Sequence, residues 1–547
     1  MKSILCIVTV LCFTTSIIQA QCTETDETKI LLVGDSWANF IGADQVINTA
    51  FEKWGHSNYK FLTNAILAEN GMQTINFLQP VKLNEIAAQL NANPSIKIVH
   101  LSIGGNDVLS NWNKNWSASK TDSLLDSVYI RLVAIIDFIK INKPGVKILW
   151  SGYAYPNFGE IINELAPFQT THPFYATWAG MGSPTFTELN SILNYFSDTI
   201  TALAAADPQV SFVKATGLMQ YSYGQQVNLG VPPSGTYLPF TAPMPDGYPD
   251  YPSPKLSMRT YLIFRDCFHL SPAGYEVLLD YQTQKYYHKA LMDDQYFLSE
   301  GGTRDGSVSA QGTVTTALQL GEIAQEEFST LLSFNTTTMP DTGVSKASLF
   351  LRRQSLTGNN PVGNTLQVKI ANGNFGATVD VEATDYSASG NATDDPCRFG
   401  SITEDGHWLR LDLPTTLLPY ITHLNTTQFL ISSQAATGGL VTFSDATDPE
   451  FAPVLNVTYG PSFTGIINSQ ELTTVKVYPN PTNGPLVIDA GTAKISKIEI
   501  TDMLGKIILT NVLPVSGTID ISSLNTGIYS LKIITGTTSN TQKIIKR

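Results

Sequence analysis

Between Lys29 and about Leu291 the chain alternates short, nearly unbroken apolar runs with longer stretches in which apolar residues recur every three or four positions. The short runs are 29–34, 97–103, 147–153 and 210–215, with a weaker one at 59–66. A strand apolar at consecutive positions is buried on both faces, as in a parallel sheet covered by helices. In 122–141, Leu124, Leu125, Val128, Leu132, Ile135, Ile136 and Ile139 fall on one face of a helix. The stretch 184–206 repeats that spacing with Leu189, Ile192, Leu193, Phe196 and Ile200, and stops at Asp207-Pro208. Strands and helices in this order predict an α/β three-layer sandwich, whose ligands bind beyond the carboxyl ends of the strands.

Past Leu291 the helical period is lost. Gly301-Gly302 and Gly306 mark a boundary, and short alternating segments follow at 347–352, 366–370, 407–412, 427–432 and 453–458. Strands of this length between Gly-, Asn- and Thr-rich turns predict a β-sandwich over 300–459. A linker is expected at 460–472, and the alternation resumes in 473–547 as a second, smaller β-sandwich. Two segments interrupt the first domain, which is expected to span 28–295: Tyr153 to Thr185, and Met219 to Phe264 with Tyr221, Tyr223, Tyr237, Phe240, Tyr248 and Tyr251. Loops this long inside a domain are expected to form a lid or a binding wall.

Composition narrows the class. Charged residues make up 14% of the 547, against roughly 25% in ordinary soluble domains, a profile that suits extracellular β-rich modules. A net charge of -13 with a pI near 5.0 excludes a nucleic-acid partner, which calls for a basic patch. Residues 1–20, with Lys2 before the apolar run Ile4 to Ile18, read as a signal peptide cleaved after Ala20. No later segment is long and apolar enough to span a bilayer, so no integral membrane segment is expected in the mature chain. Cys6 and Cys12 leave with the leader. Cys22, Cys267 and Cys397 remain, an odd number from which no disulfide scaffold is predicted. No Cys/His spacing of the metal-binding kind occurs.

Four polar clusters sit where the strands end. Gly34-Asp35-Ser36 follows the first run, and Ala68 to Thr74 follows the weak one, with Gly71 at its tip. Gly104-Gly105-Asn106-Asp107 follows the third. Asp266 and His269 are expected on a loop before a closing helix that Ser271 caps and Pro272 begins. The residue types fit nucleophilic catalysis. A serine hydroxyl needs a base to take its proton, histidine titrates in the useful range, and a carboxylate on the other ring nitrogen fixes the tautomer. Asn106 can present an amide to an oxyanion. Asp35 is expected to shape the turn and Trp37 to form cleft wall. His100 and His288 are expected to pack, and His56, His172, His407 and His423 have no acid at a useful spacing.

Taken in order, Gly34-Asp35-Ser36, Gly71, Gly105-Asn106-Asp107 and Asp266-x-x-His269 resemble the four blocks of the SGNH, or GDSL, hydrolases. The resemblance implies a flavodoxin-like α/β domain with Ser36 as nucleophile, His269 as base and Asp266 orienting it. The oxyanion hole would be the Ser36 and Gly71 N–H groups and the Asn106 amide, and no cofactor or metal is implied. Leu332-Ser-Phe-Asn335, Ala347 to Arg353, Thr427-Gln-Phe-Leu430 and Pro453 to Tyr459 resemble DNRLRE-type domains, which implies carbohydrate binding. Val477 to Gly484, Ile498 to Lys506, Ile519 to Tyr529 and the basic Lys543 to Arg547 resemble the type IX secretion sorting domain. That tail implies export by the type IX machinery to the cell surface or medium. The expectation is a secreted esterase removing acyl, above all O-acetyl, groups from a polysaccharide. The alternatives are a lipase or lysophospholipase and a non-catalytic glycan-binding or adhesion protein.

Overall fold

The computed structural model describes residues 22, 24–223, 246–363, 365–400, 402–434, 438–460, 476–489, 495, 497–502, 506–511, 517–535 and 538–547. The expected leader, most of the expected linker, Tyr237 and Phe240 lie outside them.

Five parallel strands form the first sheet: β1 (Glu27–Gly34), β2 (Tyr59–Leu62), β3 (Ile98–Ser102), β4 (Lys147–Ser151) and β5 (Val210–Val213), in the order β2-β1-β3-β4-β5. The apolar runs are continuous because both faces are covered. Leu31 and Val33 of β1 join Val99, Leu101, Ile148 and Trp150 on one side, under the helices Pro80–Ala92, Ala118–Asn142 and Phe186–Ala206. Ile30 and Leu32 point the other way and join Ile98 and Leu149 under Ser36–Ala43, Val46–Lys53 and Pro272–Gln282. Strand side chains alternate in direction, so one run supplies both cores. The helix starts follow capping chemistry: Thr185 and Glu188 form a capping box, and Ser271 accepts the Gly274 N–H ahead of Pro272.

Asp266 and His269, expected on a loop, stand instead on a strand. β6 (Met258–Tyr261) and β7 (Phe264–Leu270) form a two-stranded antiparallel hairpin. The β7 sequence Phe-Arg-Asp-Cys-Phe-His-Leu shows no clean alternation because the hairpin buries only part of each face, which hid the strand from a periodicity reading.

The β-region is two sheets that share one long strand, Val344–Gly358. Its first half pairs with Trp408–Asp412 and Val454–Tyr459, and its second half pairs with Gly439–Phe443 after a register shift between Arg353 and Ser355. Leu332, Phe334, Leu349, Leu351, Val368, Phe429 and Val441 meet between the sheets.

This region and the α/β domain pack into one compact unit that runs to Gly460. The strand Gln295–Leu298, shortly after the helix His288–Ala290, already pairs with Val454 to Val457 of the β-region. Trp54 of the α/β domain stacks on Trp408, with ring centroids 5.2 Å apart. Arg410 reaches across to the Gly55 carbonyl at 3.2 Å and the Asn58 side chain at 2.9 Å, and pairs with Glu24. Between these contacts His56 and His288 share a hydrogen bond of 3.1 Å, and burial pushes both imidazoles below their ordinary range. Cys22 is bonded to Cys397, with Cα atoms 5.6 Å apart, and Cys267 is free and buried. That pairing corrects the expectation from cysteine count: its halves lie 375 residues apart, where spacing carries no signal.

The second unit begins after Gly460. It is a small sandwich of a three-stranded sheet (Lys476–Tyr478, Pro485–Asp489, Thr518–Asp520) and a four-stranded one (Ile507–Asn511, Lys497–Thr501, Gly527–Thr535, Thr538–Lys546). Leu486, Ile488, Ile498, Ile500, Ile519, Leu531, Ile533 and Ile544 fill it.

Candidate active site

The turn after β1 needs glycine for a steric reason. A Cβ on Gly34 would stand 1.9 Å from the Ser102 carbonyl oxygen of neighbouring β3. The backbone passes so close because Asp35 donates its N–H to that same carbonyl at 2.9 Å. Asp35 then caps the helix Ser36–Ala43 by accepting the Trp37 N–H at 3.0 Å. Ser36 is thereby fixed as the first helical residue, its hydroxyl facing a cleft of about 400 Å³.

Hairpin β6–β7 brings the imidazole to it. His269 Nε2 lies 2.7 Å from Ser36 Oγ, and Nδ1 lies 2.8 Å from Asp266 Oδ2. An ionised carboxylate only accepts, so Nδ1 carries the proton and Nε2 is left bare to accept the serine hydroxyl. Asp266 Oδ1 accepts the backbone N–H groups of Phe268 at 2.8 Å and His269 at 3.0 Å. The Trp37 indole donates to the Phe268 carbonyl at 3.2 Å, and Phe40 packs edge-on against the imidazole at 4.9 Å. His172, for which sequence spacing offered no acid, lies 3.3 Å from Glu160, which also accepts the Arg265 N–H at 3.0 Å and pairs with Lys255 at 2.8 Å. That cluster braces the hairpin from behind. His100 packs as expected, its Nδ1 2.6 Å from the Tyr287 hydroxyl.

The remaining two clusters close the cleft. Gly71 lines it at φ +76°, and a Cβ there would meet nothing within 4 Å, so glycine is called for by conformation alone. Asn106, second in the helix Gly105–Asn111, donates its amide to the Met72 carbonyl at 3.0 Å and stands 3.4 Å from Asp35 Oδ2. Asp107 ties the two loops together by accepting the Thr74 N–H at 2.8 Å and its hydroxyl at 2.7 Å. Trp37 is cleft wall, as expected, together with Phe40, Tyr153, Phe174, Tyr261 and Phe268. The five predicted site residues Ser36, Gly71, Asn106, Asp266 and His269 thus line one cleft. Sequence reasoning missed Tyr153, whose hydroxyl donates to Asp35 Oδ2 at 2.8 Å. Its place just after β4 was the only signal. The arrangement can deprotonate a hydroxyl and receive a carbonyl against it.

Among the described residues no helix is long and apolar enough to cross a membrane, and no group of His, Cys, Asp and Glu could hold a metal ion.

Residues 27–281 match the family profile described as GDSL-like lipase/acylhydrolase, and residues 476–547 match the secretion system C-terminal sorting domain. No curated protein matches the chain. Solved structures similar to it include a family 3 carbohydrate esterase from Clostridium thermocellum, at 18% identity over 49% of this chain and 99% of that one, TM-score 0.26. The lipase Lip_vut3 from a goat rumen metagenome is similar at 11% identity over 48% and 99%, TM-score 0.28. The periplasmic domain of a Salmonella ser. Paratyphi A lipopolysaccharide acetyltransferase is similar at 17% over 49% and 86%, TM-score 0.28.

Proposed function

We propose that Ser36, His269 and Asp266 are the catalytic triad of an ester hydrolase, a reading supported by the match of residues 27–281 to the GDSL-like lipase/acylhydrolase profile, in a chain that a C-terminal sorting domain directs to the cell surface or beyond. The observation that carries this reading is the relay of 2.7 and 2.8 Å through one imidazole. Ser36 Oγ attacks the ester carbonyl while its proton passes to His269 Nε2. The oxyanion that forms is held by the Ser36 and Gly71 N–H groups and the Asn106 amide. Collapse returns the proton to the departing alkoxide, and water activated by His269 then releases the acid from the acyl-enzyme. Asn106 fits this role because its amide lines the same cleft as Ser36, held by the Met72 carbonyl at 3.0 Å.

The substrate proposed is an ester, above all an O-acetyl group, on an extracellular polysaccharide. A modest cleft, export, and the DNRLRE-like phrases in the β-region support it, with export assigned to the type IX system. Carbohydrate binding by the β-region belongs to the same proposal. One observation favours acyl lipids as the second reading: the hairpin tip beside the cleft presents Leu262 and Ile263, 77% and 88% exposed, with Leu262 at φ +57°. Apolar residues at a two-residue turn, one in the left-handed region, run against turn chemistry.

A release assay tests the proposal. Acetate should appear from acetylated polysaccharides with wild type and vanish with Ser36→Ala of unchanged fold. Long-chain acid from acyl lipids without acetate release would replace the first substrate class by the second, and undiminished turnover by Ser36→Ala would overturn the triad.

A further inference from the structure

The cleft holds a second carboxylate that the hydrolytic steps do not use. Asp35 is 1% exposed, and its acceptors are filled by neutral donors. Oδ1 takes the Trp37 N–H at 3.0 Å, and Oδ2 takes the Tyr153 hydroxyl at 2.8 Å with the Asn106 amide 3.4 Å away. The fold makes room for that phenol. Tyr153 leaves the end of β4 with its ring edge-on to Trp37 at 5.0 Å, and a Cβ on Gly105 would stand 2.9 Å from the ring. The residue beside Asn106 therefore has to be glycine for the phenol to reach Asp35.

We propose that Tyr153 is a positioning residue for the hydrolytic step: its hydroxyl holds Asp35 as a carboxylate aimed at Asn106 and at the Ser36 turn, setting the oxyanion donors before substrate arrives. The inference rests on the acylhydrolase reading of this cleft.

A buried carboxylate without a counter-ion is costly to keep charged. Burial raises Asp35, the Trp37 N–H, the Tyr153 hydroxyl and the facing His269 pull it back, Asp107 pushes it up again, and it ends raised to about 6. Tyr275, on the closing helix, also faces it. Burial and Asp35 itself hold the Tyr153 phenol far above its ordinary value, so it stays a donor throughout the working range. Protonated, Asp35 becomes a donor on one oxygen, and the contacts to Tyr153 and Asn106 can no longer both be satisfied as they stand. Tyr153 and Asp35 thus share one job. The phenol keeps the carboxylate ionised, and the carboxylate keeps the amide turned.

The test is the pH profile of Tyr153→Phe on a short-chain nitrophenyl ester, with turnover counted per Ser36 labelled by a fluorophosphonate so that any unfolded fraction drops out. The expected result is kcat lower by about tenfold with KM within about twofold, and an acid limb displaced to higher pH, since the lost hydrogen bond no longer opposes burial. In an Asp35→Asn background, where this group cannot titrate, the same substitution should leave the acid limb in place. An acid limb unmoved in Tyr153→Phe, or a displacement that persists in the Asp35→Asn background, overturns the role of Tyr153 while labelling leaves the acylhydrolase reading intact. Failure of wild-type Ser36 to label overturns both.

Discussion

Asp266 grips His269 at two points. One carboxylate oxygen takes the ring proton at 2.8 Å, and the other takes the backbone N–H of the same residue at 3.0 Å. The two residues stand on one strand, three positions apart, so their mutual geometry is set by local backbone rather than by the packing of distant elements.

Asp266→Asn should therefore keep the hairpin and lose the chemistry. An amide that donates to Nδ1 moves the ring proton to Nε2, where it faces the serine instead of accepting from it. The expected loss in kcat is on the order of 10³–10⁴, with little change in KM. Steady-state kinetics with a circular dichroism control checks it.

Asn106→Ala should act on the transition state. Removing one oxyanion donor costs roughly 10²–10³ in kcat and leaves ground-state binding almost untouched. A rise in KM at constant kcat would assign Asn106 to substrate binding.

Asp35→Asn should stabilise the protein while slowing it. The folded state holds the Asp35 proton up to about 6, against 3.8 ordinarily. Between those values the native protein binds more protons than the unfolded chain, so stability falls as pH rises through the window. By pH 7 the full cost of charging this group is present, up to about 3 kcal/mol for a shift of this size. The neutral isostere escapes it. Melting temperatures at pH 4 and pH 7.5 should show the variant ahead of wild type by more at the higher pH, where its activity is also reduced.

Cys22→Ser should loosen the link between the α/β domain and the β-region. The bridge spans 375 residues, and loss of a native disulfide costs about 2–5 kcal/mol. A lower melting temperature matched by reductant treatment of wild type, with no further drop when reductant is added to the variant, is the expected pattern.

The α/β sheet was legible because each strand is apolar on both faces and each helix carries its stripe, and Ser271-Pro272 announced the closing helix by capping chemistry. The cleft was legible because its polar clusters are short and three of the four stand at strand ends. Tyr153 was not, since one tyrosine after a strand differs from any other until its hydroxyl is seen 2.8 Å from Asp35. β7 was hidden by its mixed faces. The packing of Trp54 on Trp408 and of Arg410 on Gly55 and Asn58 joins positions more than 300 apart. No local period reports contacts of that kind, so the close packing of the α/β domain against the β-region could not be read from the sequence.

The Cys22–Cys397 bridge also orders events in time. A chain made from its amino end exposes Cys22, and soon afterwards the β1 strand and Ser36, long before Cys397 exists. The strand before Ser36 can pair with its neighbours early, but the covalent seal waits until most of the β-region has emerged. A chain cut short before residue 397 would carry Ser36, Gly71, Asn106, Asp266 and His269 and never close. The bridge is thus a mark that synthesis has passed Cys397.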